Sequence, residues 1–431
     1  MTAALTALKP AWTLVDPSGQ ELWFNSTDAS ANGQVLVTGT FKFDTTADFT
    51  LFVLDRQGHE LLRDVWAGSD MGVFWTAVSR DGRYAGGGGW LRASSARGYV
   101  GQMKLWDLQT KQSVIQQQTG SRVNHIAMTP GGEWVAASCG QVYSGPGQLA
   151  YLWARQGDGT FKALPGFLEN GLSALSASFS EDGQWLVVAF IGPTHLILFQ
   201  VTPTGLVEAQ RWSIPQSQGL AAEIDEDPDP RRYLAEHLRF APEKASYSGP
   251  YVKSVSMAPD GSRFAAAASG KNGVYLFDRA TFLQTGESLW QKAPLGVTTT
   301  SVVTLSRDGR FLVAAGNGSG SQPGLAYRVD DSEGGPTLTW CHSVSAFGAN
   351  PCNRLMDDAG EFVAFGTGQP QGSALSPGQF FVLKAASGAV LNQMDTPVMN
   401  WPLQLSGDGR CAFGGSDCCT AFAFEAQGNW A

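Results

Sequence analysis

An all-β chain made of eight copies of one four-stranded antiparallel unit is predicted by three observations. Glycine and aromatic residues are plentiful while charge is sparse. One short phrase recurs eight times. Each copy is followed by a further run of alternating apolar residues. Of the 431 residues, 52 are Gly, 14 are Trp and 16% are charged. Ordinary globular chains carry about 7% Gly and about 25% charged residues. A chain so aromatic and so weakly charged is not disordered. A coiled coil or helical array needs an Ala, Glu, Lys and Leu richness that is missing. Short strands joined by tight turns fit this composition.

The recurring phrase is an apolar strand, a Ser/Thr-x-Asp-Gly turn, a bulky residue and a small-residue strand. It reads DASANGQVLVTG, AVSRDGRYAGGG, AMTPGGEWVAAS, SFSEDGQWLVVA, SMAPDGSRFAAA, TLSRDGRFLVAA, LMDDAGEFVAFG and QLSGDGRCAFGG. The turn glycines are Gly33, Gly82, Gly132, Gly183, Gly261, Gly309, Gly360 and Gly409, spaced by 49, 50, 51, 78, 48, 51 and 49 residues. Asp-Gly between two short strands supplies the positive φ of a tight hairpin, which Gly meets without a Cβ clash. A third strand follows each hairpin, as in Leu51–Asp55, Met103–Asp107, Ala150–Ala154, Leu196–Gln200 and Val274–Asp278. A fourth follows a polar turn, as in HELLRD. Four antiparallel strands every ~50 residues make one propeller blade.

Eight hairpins predict a single closed β-propeller of eight blades, one domain over 1–431; seven blades plus an irregular hairpin is the alternative. The chain ends after a third strand, Cys419–Glu425, so the N-terminal segment of about 11–24 is expected to complete the last blade. Such closure removes an open sheet edge.

The chain resembles the WD-repeat and quinoprotein-like β-propeller superfamily. KLWDLQTKQ looks like the strand ending that names WD repeats, and WTLVDPSGQELW (Trp12–Trp23) looks like the docking phrase of quinoprotein blades. LFVLDRQGHELL lacks the Trp of that phrase, and the Gly-His element usual in WD repeats is absent. The resemblance covers roughly residues 10–430 and implies fold more than function.

Aligned on the turn glycine, the positions four before it are all apolar and read as packing between blades. The bulky residues two or three after it fill the wedge between sheets, and the mostly small residues five before it suit strands crowded at the axis. Departures from a column carry information. Asp28 is the one acid among small and apolar residues, and Arg354 is the one charge six before the turn, facing the channel, a partner or local acids such as Asp357 and Asp358. Seven and eight before the turn the residues vary: Asn25, Phe74, Trp75, Asn124, His125, Lys253, Cys352, Asn353 and Trp401. That column lies at the rim opposite the Asp-Gly hairpins. Several connections between second and third strands, which reach the same rim, are long. Long loops on one face mark a binding surface. The ligand-binding candidates are therefore Asn25, Asp28, Trp75, Asn124, His125, Lys253, Asn353, Arg354 and Trp401, with the Trp and Phe residues as exposed anchors.

The one long interval places an insertion at about 213–251, between blades four and five. Asp229 caps and Pro230 opens a short amphipathic helix there, and Arg232, Tyr233 and His237 belong to the cap expected over the channel mouth. Cys341, His342 and Cys352 share one inter-blade stretch but match no zinc-finger spacing, so no metal is predicted. No catalytic or phosphate-binding motif occurs, and no cofactor is predicted.

Net charge is −9 with no Lys/Arg cluster, which argues against nucleic acid and anionic membranes. The start MTAALTALKPAW has no basic flank or long apolar run, and Leu186 to Phe199 is too short to span a bilayer. A cytoplasmic, monomeric protein is expected. The function that fits is a non-catalytic platform binding a protein, peptide or peptide-like ligand on the variable rim and channel mouth. The alternative is an enzyme working in the channel: a quinoprotein-like oxidoreductase, a lyase or a metal-dependent hydrolase.

Overall fold

The turn chemistry read from the sequence recurs in all eight repeats. In the computed structural model, which describes residues 6–94, 98–140, 147–215, 250–268, 273–292, 299–317, 324–332, 335–344, 354–368, 378–426 and 430, every turn glycine has φ between +64° and +76°. The hydroxyl three before the glycine closes the turn by accepting the N–H of the residue two after it. Ser30 accepts from Val35, Ser79 from Tyr84, Thr129 from Trp134, Ser180 from Trp185, Ser306 from Phe311 and Ser406 from Cys411, at 2.9–3.1 Å. Repeat seven uses the carboxylate of Asp357 instead, 2.8 Å from the Phe362 N–H.

Repeats three to six each form one four-stranded antiparallel sheet, running from an inner first strand to an outer fourth. Repeat four is typical, with Ser173–Phe179, Trp185–Ile191, Leu196–Thr202 and Gly205–Trp212. Repeats one and two share a sheet because the strand Glu60–Val78 leaves the outer edge of one and continues as the inner strand of the next. The strand Val35–Asp55 doubles back on itself: the Thr50 N–H donates to Thr40 Oγ1 at 2.7 Å, whereas ten extended residues span about 33 Å.

At the end of the third strand in repeats two to eight a backbone N–H donates to the carbonyl just after the turn glycine, as from Leu108 to Arg83, Arg155 to Glu133, Val201 to Gln184, Asp331 to Arg310 and Ala426 to Arg410. These bonds put the hairpins and the third-to-fourth turns on one rim. The remaining connections face the other.

Bulky residues two after each glycine pack onto the turn of the next repeat. A Cβ on Gly132 would lie 2.6 Å from the Tyr84 ring, one on Gly360 2.6 Å from Phe311, one on Gly409 3.1 Å from Phe362, and one on Gly33 3.0 Å from Cys411 of repeat eight. The turn glycine is thus required twice, for its φ and for its bareness.

Three features differ from expectation. The N-terminal segment is divided: Trp12–Val15 pairs antiparallel with Thr420–Ala423, but Trp23 and Phe24 already belong to the first strand of repeat one, Trp23–Ala29. Thr6–Ala7 runs parallel to Val390–Thr396 as an extra outer strand of repeat seven, where the described residues before the turn form a bridge between Met356 and Val363. A helix, Arg279–Thr285, joins the third and fourth strands of repeat five, capped by Asp278, which accepts the Thr281 N–H at 2.9 Å, and ended by Gly286 at φ 72°. The helix expected within 213–251 falls on 216–249, outside the described residues. No helix among the described residues is long and apolar enough to cross a membrane.

Candidate functional site

The first strand of each repeat has a neighbour on only one side within its own sheet, so half of its N–H groups need partners elsewhere. The adjoining repeat supplies them. Five before the turn, Asp28 accepts the Val78 N–H at 3.0 Å, Ser178 that of Met257 at 3.0 Å, Ser256 that of Leu305 at 3.0 Å and Thr304 that of Leu355 at 3.2 Å. Gln404 accepts the Arg354 N–H at 2.9 Å. Hydroxyls in this column do more than fit a crowded axis: they join the sheets.

These strands enclose a cavity of about 180 Å³. Asp28, His125 and Arg354 line it together. Its hairpin end is crossed by four charges that stand two before their turn glycines, Arg80, Glu181, Arg307 and Asp358. Arg80 grips Asp358 with both terminal nitrogens, Nη1 to Oδ1 at 3.0 Å and Nη2 to Oδ2. Arg307 holds Glu181 at 2.5 and 2.8 Å. Arg80 Nε also lies 3.7 Å from Glu181. The pairs tie repeat two to seven and to four, and six to four, so they join sheets that are not neighbours. Forked guanidinium–carboxylate pairs of this kind combine charge with fixed geometry.

Arg354 is the third guanidinium. Asp358 Oδ1 lies 3.7 Å from its Nη1 but is already bonded to Arg80, and that Nη1 is buried without a hydrogen-bond partner. Burial and the charge of Arg80 hold its pKa below the usual arginine value, against the pull of Asp358 and Asp28. His125 is 5% exposed, its ring centroid 4.5 Å from that of Trp75, and its Nδ1 has no hydrogen-bond partner. Burial pushes its pKa down to about 3, so the ring is neutral at physiological pH. Beside Arg354, burial raises the Asp357 carboxyl above its ordinary value. Burial acts the same way on Asp358, but the Arg80 hydrogen bond and the charges of Arg354, Arg80 and Arg307 outweigh it and hold that carboxyl low.

The other sequence candidates sit elsewhere. Asn25 donates to the Phe74 carbonyl at 2.5 Å and Asn124 to the Ala174 carbonyl at 2.6 Å, each clamping one repeat to the next. Trp75 and Trp401 were expected as exposed anchors and are corrected by their burial, at 7% and 8% exposed; Trp401 Nε1 donates to Asp417 at 2.5 Å. Lys253 is likewise buried. Cys341 and His342 are consecutive on the strand Gly335–Val344 and so point to opposite faces. Cys352, Asn353, Arg232, Tyr233 and His237 lie outside the described residues, among which no group of three metal-ligating side chains occurs.

Of the hairpin-end charges, Asp358 was named as an acid beside Arg354, and Arg80, Glu181 and Arg307 were missed. Their signal was available as the column two before the turn, which runs Ala31, Arg80, Pro130, Glu181, Pro259, Arg307, Asp358 and Gly407 and alternates cation with anion.

The chain matches no family model, and no curated protein is significantly similar in sequence. Among solved structures it is similar to the β-propeller domain of Cps50 (Swd1) from Myceliophteria thermophila, with a TM-score of 0.50 and 12% identity over 94% of this chain and 96% of that one. The likeness is one of fold: an all-β, propeller-like arrangement of four-stranded antiparallel sheets resembling a WD-repeat domain.

Proposed function

We propose that the chain is a non-catalytic recognition platform that reads a protein, peptide or peptide-like ligand across the rim opposite the Asp-Gly hairpins, with the channel mouth beneath it. In this reading residues 1–431 form one domain of eight blades in a closed ring, monomeric, cytoplasmic and working without a cofactor. Closure is supported by two junctions between the last and first repeats: the Trp12–Val15 pairing with Thr420–Ala423, and the Asp408 N–H donating to the Ala31 carbonyl at 2.8 Å.

The observation that carries the reading is the asymmetry of the two rims. The hairpin rim has short, repeated turns and is crossed by ion pairs between distant repeats. The other rim receives the long connections, including the one from Trp212 to Val252. A rigid scaffold with variable loops gathered at one end is a recognition design.

The test is affinity capture from cell extract followed by hydroxyl-radical footprinting of the complex. Protection is expected at Leu168 and Pro193, on the loop rim, and not at the hairpin residues Glu133, Gln184 and Arg310. Protection confined to the hairpins, or no captured partner, overturns the reading.

A further inference from the structure

The hairpin-end charges do not balance pair by pair. Arg80 and Arg307 each take both oxygens of one carboxylate, Asp358 and Glu181. Arg354 remains. Asp28 attracts it, but both Asp28 oxygens already accept backbone N–H groups, from Ala29 at 2.9 Å and Val78 at 3.0 Å. A buried guanidinium lacking a hydrogen-bond acceptor is costly, more so than the same group in water. The hydroxyls around it offer little, since Ser178, Ser256 and Thr304 accept from neighbouring backbones. Two buried polar groups on this cavity therefore keep unused hydrogen-bonding capacity, Arg354 Nη1 and His125 Nδ1.

We propose that the channel cavity binds a carboxylate, its charge held by Arg354 Nη1 and its polar end facing the neutral ring of His125. A monoanion suits the site better than a phosphate. What is unused is one guanidinium nitrogen rather than a net positive charge, since Asp28, Glu181, Asp357 and Asp358 line the cavity with the three arginines and repel a dianion. A planar carboxylate matches a guanidinium as a spherical halide does not. The volume of about 180 Å³ takes a few heavy atoms, either a small organic acid or the carboxylate of an inserted peptide. The second source rests on the platform reading above; the first does not.

Isothermal titration calorimetry on the full chain tests this with four probes at matched ionic strength: acetate, chloride, a pentapeptide with a free C-terminal carboxylate and its C-terminal amide. Wild type is expected to bind acetate, the free-acid peptide or both, and neither chloride nor the amide. Acetate binding alone points to a free acid, and a tighter free-acid peptide points to a partner's carboxylate. Arg354→Met is expected to weaken binding roughly ten- to a hundredfold. His125→Phe, which changes no charge, is the second variant should Arg354→Met not fold, and loss of binding is expected there too. Wild type that binds no carboxylate, or variants that bind as well as wild type, overturn the proposal. Carboxylate binding without partner capture leaves this site standing and removes the platform; capture without carboxylate binding does the reverse.

Discussion

Repeats four and seven share a turn glycine at φ +68° and the same three outer strands, yet their inner edges differ. Repeat four has a full seven-residue first strand in which Ala177, Ser178, Phe179 and Ser180 pack, bridge and close the turn. Repeat seven has Arg354, Leu355, Met356 and Asp357 in those places, and the described residues there pair through the Met356–Val363 bridge and the Ala364 N–H donating to the Leu355 carbonyl at 2.8 Å. Regular repeats build the wall. The repeat that departs from them puts into it a guanidinium with an unpaired nitrogen, whose ion-pair neighbour Asp358 is already held by Arg80. Function in this fold is to be sought where the pattern breaks.

Transplanting the irregularity should break the comparison most severely. Ala177→Arg places an unpaired guanidinium on the cavity wall, and a loss of about 2–4 kcal/mol is expected in urea unfolding. A loss under about 0.5 kcal/mol would mean that the wall tolerates charge anywhere. Next comes the shared turn. Gly183→Ala is strained by its φ and collides with the Trp134 ring, so a loss of about 2–3 kcal/mol is expected. Gly360→Ala meets only the tip of the Phe311 ring and should lose less. Equal losses would show that φ alone decides.

Two adjacent aspartates of repeat seven sharpen the contrast through pH. Asp358 is held below the ordinary carboxyl value of 3.8, so it contributes stability above that pH and loses it as pH falls through its folded pKa. Asp358→Asn should therefore cost on the order of 1 kcal/mol at pH 7 and progressively less as the pH falls below 3.8. Asp357 is raised above 3.8 by burial, so its stability is fully present below that value and declines as pH rises through the folded pKa. Asp357→Ser restores the turn of repeat four and should gain up to about 0.5 kcal/mol at pH 7 and less at pH 4. Thermal melts across pH that slope the same way for both variants would contradict the assignment.

Much of the fold was legible because its causes are local. The positive φ at Gly33 or Gly409 and the Ser/Thr that closes the turn in six of the repeats are fixed within six residues of sequence. The site was half legible. Asp28 and Arg354 stood out as departures from their columns and His125 belonged to the variable one, and the three do meet at one cavity. Arg80, Glu181 and Arg307 did not stand out, because Arg80 and Asp358 lie 278 residues apart and their pairing depends on how the sheets are arranged around the cavity. Trp75 and Trp401 misled for a related reason. A large ring in a variable column looks like an anchor, but Trp75 packs on His125 of the next repeat and Trp401 is tied down by Asp417 of its own.

The seam between Trp12–Val15 and Thr420–Ala423 sets a timetable for biosynthesis. The outermost strand of that sheet is made about 400 residues before the strand it pairs with. At roughly 5–20 residues per second, the wait on the ribosome lasts some tens of seconds. During that interval a bare β edge stands open to any passing nascent chain. Expression yield should therefore respond to chaperone supply and translation speed more than to the finished protein's melting point.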